Sequence, residues 1–325
     1  MGKAMKSRSA SKATMLWKAG QKAGVKPVIN DQFVAIGNAA LCLRHPWTAV
    51  SALMGKLWST SLFFIGPSFV FQFWPILGVV EGAYLLFFIL MPVPTLFALL
   101  LWSHIHMLKR RSHFYFNRHT QRVYYNDGKY LWIGDWSGIQ GGSTSATDVT
   151  NVGAVIRYYL ELQLPNLGAL LPPDRYDETR TPRPAPSPMI LQIDSNQGTL
   201  GLQQYIAEVW EYIRIFMEEG PRDLPIPSEE NWWESPCYRT YLTPMEALRR
   251  YVPWRTGEPG EKQGKKWWLL PFWALLFPYN MVLSLCWWIT CVVFKVRPAA
   301  PPPEAFEGQE GPMVTIQMAA KGIRP

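Results

Sequence analysis

The sequence predicts an α+β membrane protein. An N-terminal two-helix transmembrane hairpin precedes a cytoplasmic antiparallel sheet closed by an amphipathic helix, and a kinked apolar helix follows. Three observations predict this class. Between residues 57 and 102 the only charged residue is Glu81, residues 267–294 carry no charge, and the chain between these regions has ordinary charge density with strand and then helix periodicity.

Changes in composition divide the 325 residues into six segments. They are a basic cytoplasmic arm at 1–50, a transmembrane hairpin at 51–108, a cytoplasmic α+β domain at 109–225, an irregular connector at 226–266, a membrane segment at 267–294 and a flexible proline-rich tail at 295–325.

The basic arm carries most of the net charge of +8, because seven lysines and arginines precede the first acid, Asp31. The remaining residues hold 25 basic and 24 acidic side chains, a balance that argues against a nucleic-acid-binding surface. An acid-free basic segment before an apolar run is typical of a cytoplasmic tail. Contact with anionic lipid and an organellar transit peptide are the alternatives.

The transmembrane hairpin is predicted from two apolar runs, at 57–80 and 83–102, that flank Glu81-Gly82. Each is long enough to cross about 30 Å of hydrocarbon. Basic residues flank the pair on one side only, with Arg44 and Lys56 before it and Lys109 to Arg111 after it. The positive-inside rule therefore places both ends in the cytoplasm.

The cytoplasmic domain begins with "HFYFN" and "RVYYN", which alternate ring and polar side chains around a polar turn. We expect Phe114, Phe116, Val123 and Tyr125 to face a core, with Asn117 and Arg118 in the turn. Further strands are predicted at 128–136, 153–164 and 188–194, with "GGSTSATD" as a loop between the first two of these.

The period then changes, because apolar residues recur at three- and four-residue spacing over 201–220 and Gly220-Pro221 ends the pattern. Strands followed by one closing helix give a pleckstrin-homology-like outline. A second, short helix is predicted at 243–254, with Thr243 as its N-cap and Pro244 in its first turn.

The third apolar run, 267–294, leaves two alternatives open. Its length favours one kinked crossing, broken at Pro278. Basic residues on both sides, Lys265 and Lys266 before and Lys295 and Arg297 after, favour a segment that enters the membrane and returns. We expect one crossing, and the side of the C-terminal tail stays open.

No catalytic motif is recognisable, and the sequence predicts neither an enzyme nor a cofactor. Four of five histidines cluster at 104–119, but their spacing does not suit a metal site. The four cysteines form no CxxC pair, which predicts unpaired thiols. Trp232 and Trp233, among Glu229, Glu230 and Glu234, are a candidate partner surface.

Eight residues together resemble a bacterial membrane-protein family of unknown function, often encoded beside type VI secretion effectors. They are Asn30, Asp31, Phe116, Asn117, Arg118, Val123, Tyr124 and Trp136. Phe116, Asn117 and Arg118 carry the strand-turn-strand motif. The resemblance implies a bacterial inner-membrane protein and an immunity or accessory role towards a secreted effector.

The hypothesis is therefore a non-enzymatic inner-membrane protein, with a cytoplasmic domain that binds a protein partner such as an effector or a secretion component. The alternative is a membrane-tethered lipid-binding or scaffold module that uses the basic arm. Both place the protein at the lipid bilayer.

Overall fold

A computed structural model describes residues 14–30, 32–77, 91–126, 131–150, 153–164, 189–194, 202–227, 243–251 and 267–325. The chain divides into two compact units. Unit 1 comprises Met1–Pro46, Ser112–Pro227 and Ala300–Pro325, and unit 2 comprises Trp47–Arg111 and Ser228–Ala299.

Unit 1 contains two antiparallel sheets rather than the single sheet that the sequence predicts. The six-stranded sheet has the order β10-β2-β3-β4-β5-β6 and the four-stranded sheet the order β1-β7-β8-β9. Their strands are β1 (Thr14–Lys18), β2 (Phe33–Ile36), β3 (Ala40–Leu43), β4 (Phe114–Asn117), β5 (Arg122–Asn126), β6 (Leu131–Asp135), β7 (Gln140–Thr150), β8 (Gly153–Leu164), β9 (Met189–Asp194) and β10 (Val314–Thr315).

The helices of unit 1 are α3 (Leu202–Glu218) and the short α6 (Ile316–Ala319). Those of unit 2 are α1 (Pro46–Leu77), which begins at the last residue of unit 1, α2 (Pro92–Arg110), α4 (Pro244–Arg250) and α5 (Leu270–Val293). The predicted α+β class is confirmed, as are the 114–126 hairpin, the strands near 131, 153 and 189, and the helix over 201–220.

One core unites the two sheets and α3. Phe114, Phe116, Val123 and Tyr125 lie in it, as the sequence predicts, together with Leu160 and Leu162 of β8 and the apolar face of α3. Trp210 of α3 is fully buried, and its ring stacks on Trp17 and Trp136 with centroids 5.9 and 5.5 Å away. A Cβ at Gly141 of β7 would lie 2.6 Å from the Trp210 ring, so this strand needs glycine there.

Three sequence predictions about unit 1 are wrong. The basic arm contains β1, β2 and β3, which belong to the two sheets. The "GGSTSATD" loop is part of β7, which pairs with β1 on one side and β8 on the other. The tail at 295–325 is not without regular structure, because its residues from Ala300 onwards belong to unit 1 and supply β10 and α6.

In unit 2, α1 and α2 pack antiparallel. Ser51 of α1 contacts Met107 of α2. Further along α1, Trp58 stacks on Phe97, which is earlier in α2, with ring centroids 5.4 Å apart. Helix α5 packs on the same bundle, where a Cβ at Gly55 would lie 2.5 Å from the Trp287 ring. Residues 78–90 between α1 and α2, including the predicted turn at Glu81, lie outside the described residues.

Candidate functional site

The Phe116-Asn117-Arg118 motif lies at the end of β4, where the chain turns into β5. Phe116 and Asn117 are fully buried, Phe116 in the main core and Asn117 on the opposite face of the six-stranded sheet. The Arg118 N–H donates to the Ala39 carbonyl at 2.9 Å, and its guanidinium lies against Gly220. Gln121, which has φ +54°, completes the turn.

Asn117 uses both ends of its amide. The Oδ1 atom accepts hydrogen bonds from the His119 N–H at 2.7 Å and the Thr120 N–H at 3.0 Å, which holds the turn. The Nδ2 atom faces the carbonyls of Glu304, Ala305 and Glu307 at 3.3, 3.2 and 2.9 Å. This one side chain therefore joins the hairpin to a segment nearly 190 residues later in the chain.

Two further amides hold that segment. Gln309 Oε1 accepts from the Ala39 and Ala40 N–H groups, each at 3.1 Å. Asn38 accepts from the Glu310 N–H at 3.0 Å and donates to the Gly308 carbonyl at 3.3 Å. We call Asn38, Asn117 and Gln309 the C-terminal docking site, because all three bind backbone groups across this contact.

The docked segment covers the second face of the six-stranded sheet. Ala305 is fully buried against Cys42, Tyr115 and Tyr124, and the Phe306 ring meets the Tyr115 ring edge-on at 5.4 Å. Burial raises the pKa of the Cys42 thiol to about 12 and also raises the pKa of the Tyr115 hydroxyl. Both groups are therefore neutral at physiological pH, and this face is structural rather than reactive.

The residues that carry the family resemblance are mostly core residues. Val123, Tyr124 and Trp136 are buried, and the Trp136 indole N–H donates to Glu218 at 3.4 Å. The Asn30 N–H donates to the Tyr205 hydroxyl, which donates to Gln32. Asp31 lies outside the described residues. This pattern fits a motif that specifies the fold of unit 1 rather than one that binds a ligand.

Helix α3 carries a charged cluster around Arg214, whose side chain is only 3% exposed. Its guanidinium contacts Glu211 at 2.7 Å, Glu218 at 2.8 Å and Glu219 at 3.0 Å. Burial raises the pKa of Glu211, but the hydrogen bonds from Arg214 and from the Ala23 N–H outweigh burial and leave that pKa below its ordinary value. The buried charges of Arg214 and Glu211 are therefore paired, and the hydrogen bond from the Ala23 N–H to Glu211 connects residue 23 to α3.

Two of the clustered histidines, His104 and His119, have contacts within the protein. His104 bonds to the Leu100 carbonyl within its own helix, at 2.7 Å, and His119 lies against Gly308. Among the residues that the structure describes, no three His, Cys, Asp or Glu side chains are close enough together to hold a metal ion. Burial, and to a lesser extent the charge of Arg44, lowers the pKa of His113 to about 3.

The long helices of unit 2 expose large apolar side chains. Phe64 of α1 is 58% exposed, Trp102 of α2 59% and Leu275 of α5 74%. In the described part of the chain, α5 alone is long and apolar enough to cross a bilayer, and only 28% of its most apolar window is buried. Length and composition of this kind are also met in core helices and signal sequences, so the exposure is the more informative observation.

The interior of unit 2 contains small polar groups among apolar ones. Ser59 and Thr290 donate to carbonyls of their own helices, Lys56 and Cys286 respectively. Lys56, which flanks the first apolar run in the sequence, is itself buried. Cys42, Cys286 and Cys291 are also buried, and they form no disulfide.

Phe116, Asn117 and Arg118 lie where β4 turns into β5, whereas Trp232 and Trp233 lie outside the described residues. Sequence reasoning missed the two other members of the docking site. Gln309 is a lone glutamine in a glycine- and proline-rich stretch, which carries no local signal. The aromatic residues on both faces of β4 and β5 were the available signal, because such strands need cover on both sides.

No known protein family, curated protein or solved structure matches this chain.

Proposed function

We propose that the protein is a non-enzymatic inner-membrane protein, in which unit 2 is the membrane anchor and unit 1 is a cytoplasmic domain that binds a protein partner. The observation that supports the anchor is the exposure of large apolar side chains along all three long helices of unit 2. In water such a surface would drive aggregation, whereas lipid chains satisfy it.

The cytoplasmic orientation is supported by charge. Lys109 and Arg110 are exposed at the end of α2, and seven basic residues precede the first acid of the chain. The positive-inside rule then places the N-terminus and the start of β4 on the cytoplasmic side. The two interhelical contacts of α1 and α2 run in opposite order along the chain, as a hairpin requires.

Membrane fractionation tests the anchor. The full chain, made in a bacterial host, should stay in the membrane pellet after alkaline carbonate washing and should need detergent for extraction. Leu99→Lys, on the exposed face of α2, should reduce the integrated fraction. Ile323→Lys, also exposed but in unit 1, is the matched control. A monodisperse protein in detergent-free buffer would contradict the proposal.

The resemblance to a family found beside type VI secretion effectors supports a specific role, as an immunity or accessory protein. The partner would then be an effector or a secretion component. Co-expression with the toxic product of an adjacent gene tests this role. Wild-type cells should survive, and cells expressing the Asn117→Ala variant, which weakens unit 1, should survive less well. No rescue by the wild-type protein would exclude the immunity role.

A second candidate function, a lipid-binding or scaffold module, is favoured by the acid-free basic arm. The full chain in zwitterionic nanodiscs should then capture vesicles that contain anionic lipid, and added salt should weaken the capture. Replacing Lys18, Lys22 and Lys26 by Gln should have the same effect. Equal capture of zwitterionic vesicles would count against this function.

A further inference from the structure

We infer that α5 is a continuous helix that lies within the cytoplasmic leaflet of the membrane without crossing it, with both of its ends on the cytoplasmic side and the acyl chains of that leaflet against its exposed face. The inference rests on the proposed membrane anchor and deepens it. It differs from the single crossing that the length of the apolar run favours.

The first step concerns the chain after α5. Residues 300–325 are built into unit 1, where Val314 and Thr315 pair with Ile36 and Ala35. The C-terminal docking site adds the hydrogen bonds of Asn117 and Gln309 to the same segment. One folded unit cannot have strands of a single sheet on opposite sides of a bilayer, since the sheet's hydrogen bonds would have to pass through the hydrocarbon.

The second step concerns the chain before α4. Residues 202–227 also belong to unit 1, and α3 buries Trp210, Ile213 and Phe216 in the core that it shares with the sheets. Residues 227 and 300 therefore lie on the same side of the membrane. The intervening chain must cross the bilayer an even number of times, or not at all.

The third step shows that α5 has no companion crossing. Between residues 228 and 266, the longest stretch without a charged side chain is 240–245. A transmembrane helix needs about 20 predominantly apolar residues. This connector cannot supply a second crossing. If α5 crossed the membrane, the chain between residues 227 and 300 would therefore make one crossing, which is an odd number.

The surroundings of α5 support an embedded but non-crossing helix. Trp273, Phe277 and Met281, at four-residue spacing, pack with Ala247 and Tyr251 at the end of α4. Trp268, Phe272, Leu275 and Tyr279 form an exposed apolar face. The helix α4 that covers the first face carries Glu246 in its capping box, as well as Arg249 and Arg250 in its sequence. Such charged residues belong at the headgroup level rather than in the hydrocarbon.

Charge at the two ends of α5 agrees with this placement. Lys265 and Lys266 precede the helix, and Lys295 and Arg297, both exposed, follow it. A helix that crosses carries its positive charge mainly at the cytoplasmic end, whereas here both ends are positive. Anionic headgroups of the cytoplasmic leaflet fit both ends.

Site-specific proteolysis tests the topology. A protease recognition sequence is inserted between Gln263 and Gly264 in the full chain, in membranes of a bacterial host. Insertion between Asp127 and Gly128 is the control for the side of unit 1, and insertion between Glu81 and Gly82 is the control for the opposite side. We expect the 263/264 site to behave like the 127/128 site, so that both are cut in inverted vesicles and protected in intact spheroplasts.

Cleavage at 263/264 in spheroplasts, as at 81/82, would overturn the inference and leave the membrane anchor intact. Cleavage of all three sites in a soluble fraction would instead refute the anchor itself. Each inserted site is first shown to be cut by the protease in detergent. If the 263/264 site is not cut there, an insertion between Gly260 and Glu261 replaces it.

A photoreactive amino acid tests the lipid contact separately. At Leu275, on the exposed face of α5, it should crosslink to lipid, whereas at Glu307, exposed in unit 1, it should not. A cytoplasmic 263/264 site without lipid crosslinks at 275 would show that α5 does not enter the membrane and would overturn the inference.

Discussion

Asn117 matters because its buried amide lies within hydrogen-bond distance of five backbone groups from two distant parts of the chain. Asn117→Ala should lower the free energy of unfolding by about 1–3 kcal/mol, since these groups lose their partner inside the protein. Thermal unfolding of the full chain in detergent measures this. Asn38→Ala, at the less buried end of the same docking site, should cost less than half as much. Equal losses would contradict the central role of Asn117.

His113 makes stability depend on pH. Its pKa is about 3 in the folded protein, well below the ordinary value of 6.5, and its Nδ1 has no hydrogen-bond partner among the described residues. Between pH 6.5 and 3, His113 is protonated in the unfolded chain but neutral in the folded protein. The stability is therefore present above pH 6.5 and is lost as the pH falls, by up to about 1.4 kcal/mol per pH unit.

The measurement compares unfolding near neutral pH with unfolding about two pH units lower. His113→Phe should flatten the difference, because it keeps the ring and removes the titrating group. His119→Gln, at an exposed position in the turn after β4, is the control and should leave the difference between the two pH values as in the wild type. An unchanged slope in the Phe variant would assign the acid sensitivity to another group.

Removal of the buried Arg214 side chain should be costly, because it leaves Glu211 buried without its main partner. Arg214→Met should destabilise the protein by about 3–5 kcal/mol. The double variant with Glu211→Leu should recover most of that loss. Arg122→Met breaks an exposed pair with Asp135 and should cost less than about 1 kcal/mol. Unfolding in denaturant gives all three values, and similar losses for both arginines would contradict the burial argument.

At the scale of elements, the contact of α1 with α5 depends on a glycine. A Cβ at Gly55 would overlap the Trp287 ring, which is fully buried and cannot move aside. Gly55→Ala should therefore separate the two helices and cost about 1–3 kcal/mol. Gly66→Ala in the same helix has open space around its Cβ and should be neutral or slightly stabilising. Thermal stability in detergent distinguishes the two variants, and equal effects would show that the close approach is unimportant.

Elements with local signals could be predicted from the sequence. The capping box of Thr243 and Glu246 begins α4 where expected, and the spacing of apolar residues predicts α3 to within two residues at each end. Strand β8 matches its predicted range because more than half of its residues are β-branched, aromatic or leucine. In each case the residues that specify the element lie within it.

Elements stabilised by distant partners could not be predicted. Gly, Ser and Thr in β7 favour a loop, but the strand forms because β1 and β8 pair with both of its edges and Trp210 lies over Gly141. Strand β10 has only two residues, and its partner β2 lies nearly 280 positions earlier. Of the docking site, the sequence indicated the Asn117 turn, whereas Gln309 is recognisable only when the segment is seen in place.

For the whole molecule, unit 1 is assembled from three separated stretches of chain. Deleting residues 300–325 should therefore destabilise the entire unit, because it removes β10 and uncovers Cys42, Tyr115 and Tyr124. Limited proteolysis of the purified full chain with this deletion should show rapid cleavage within 112–227. Deleting only residues 321–325, which are exposed, is the control and should leave the pattern unchanged. A protected unit in the longer deletion would show that the tail is dispensable.

The late position of β10 also determines the order of events during synthesis. Strand β10, which pairs with the outer edge of β2, is made nearly 280 residues after β2. Until then the nascent six-stranded sheet presents an open edge, the feature by which partly made proteins associate wrongly or recruit chaperones. That edge closes only after the ribosome has delivered the apolar residues of α5, so unit 1 is completed after the helices of unit 2 have been made.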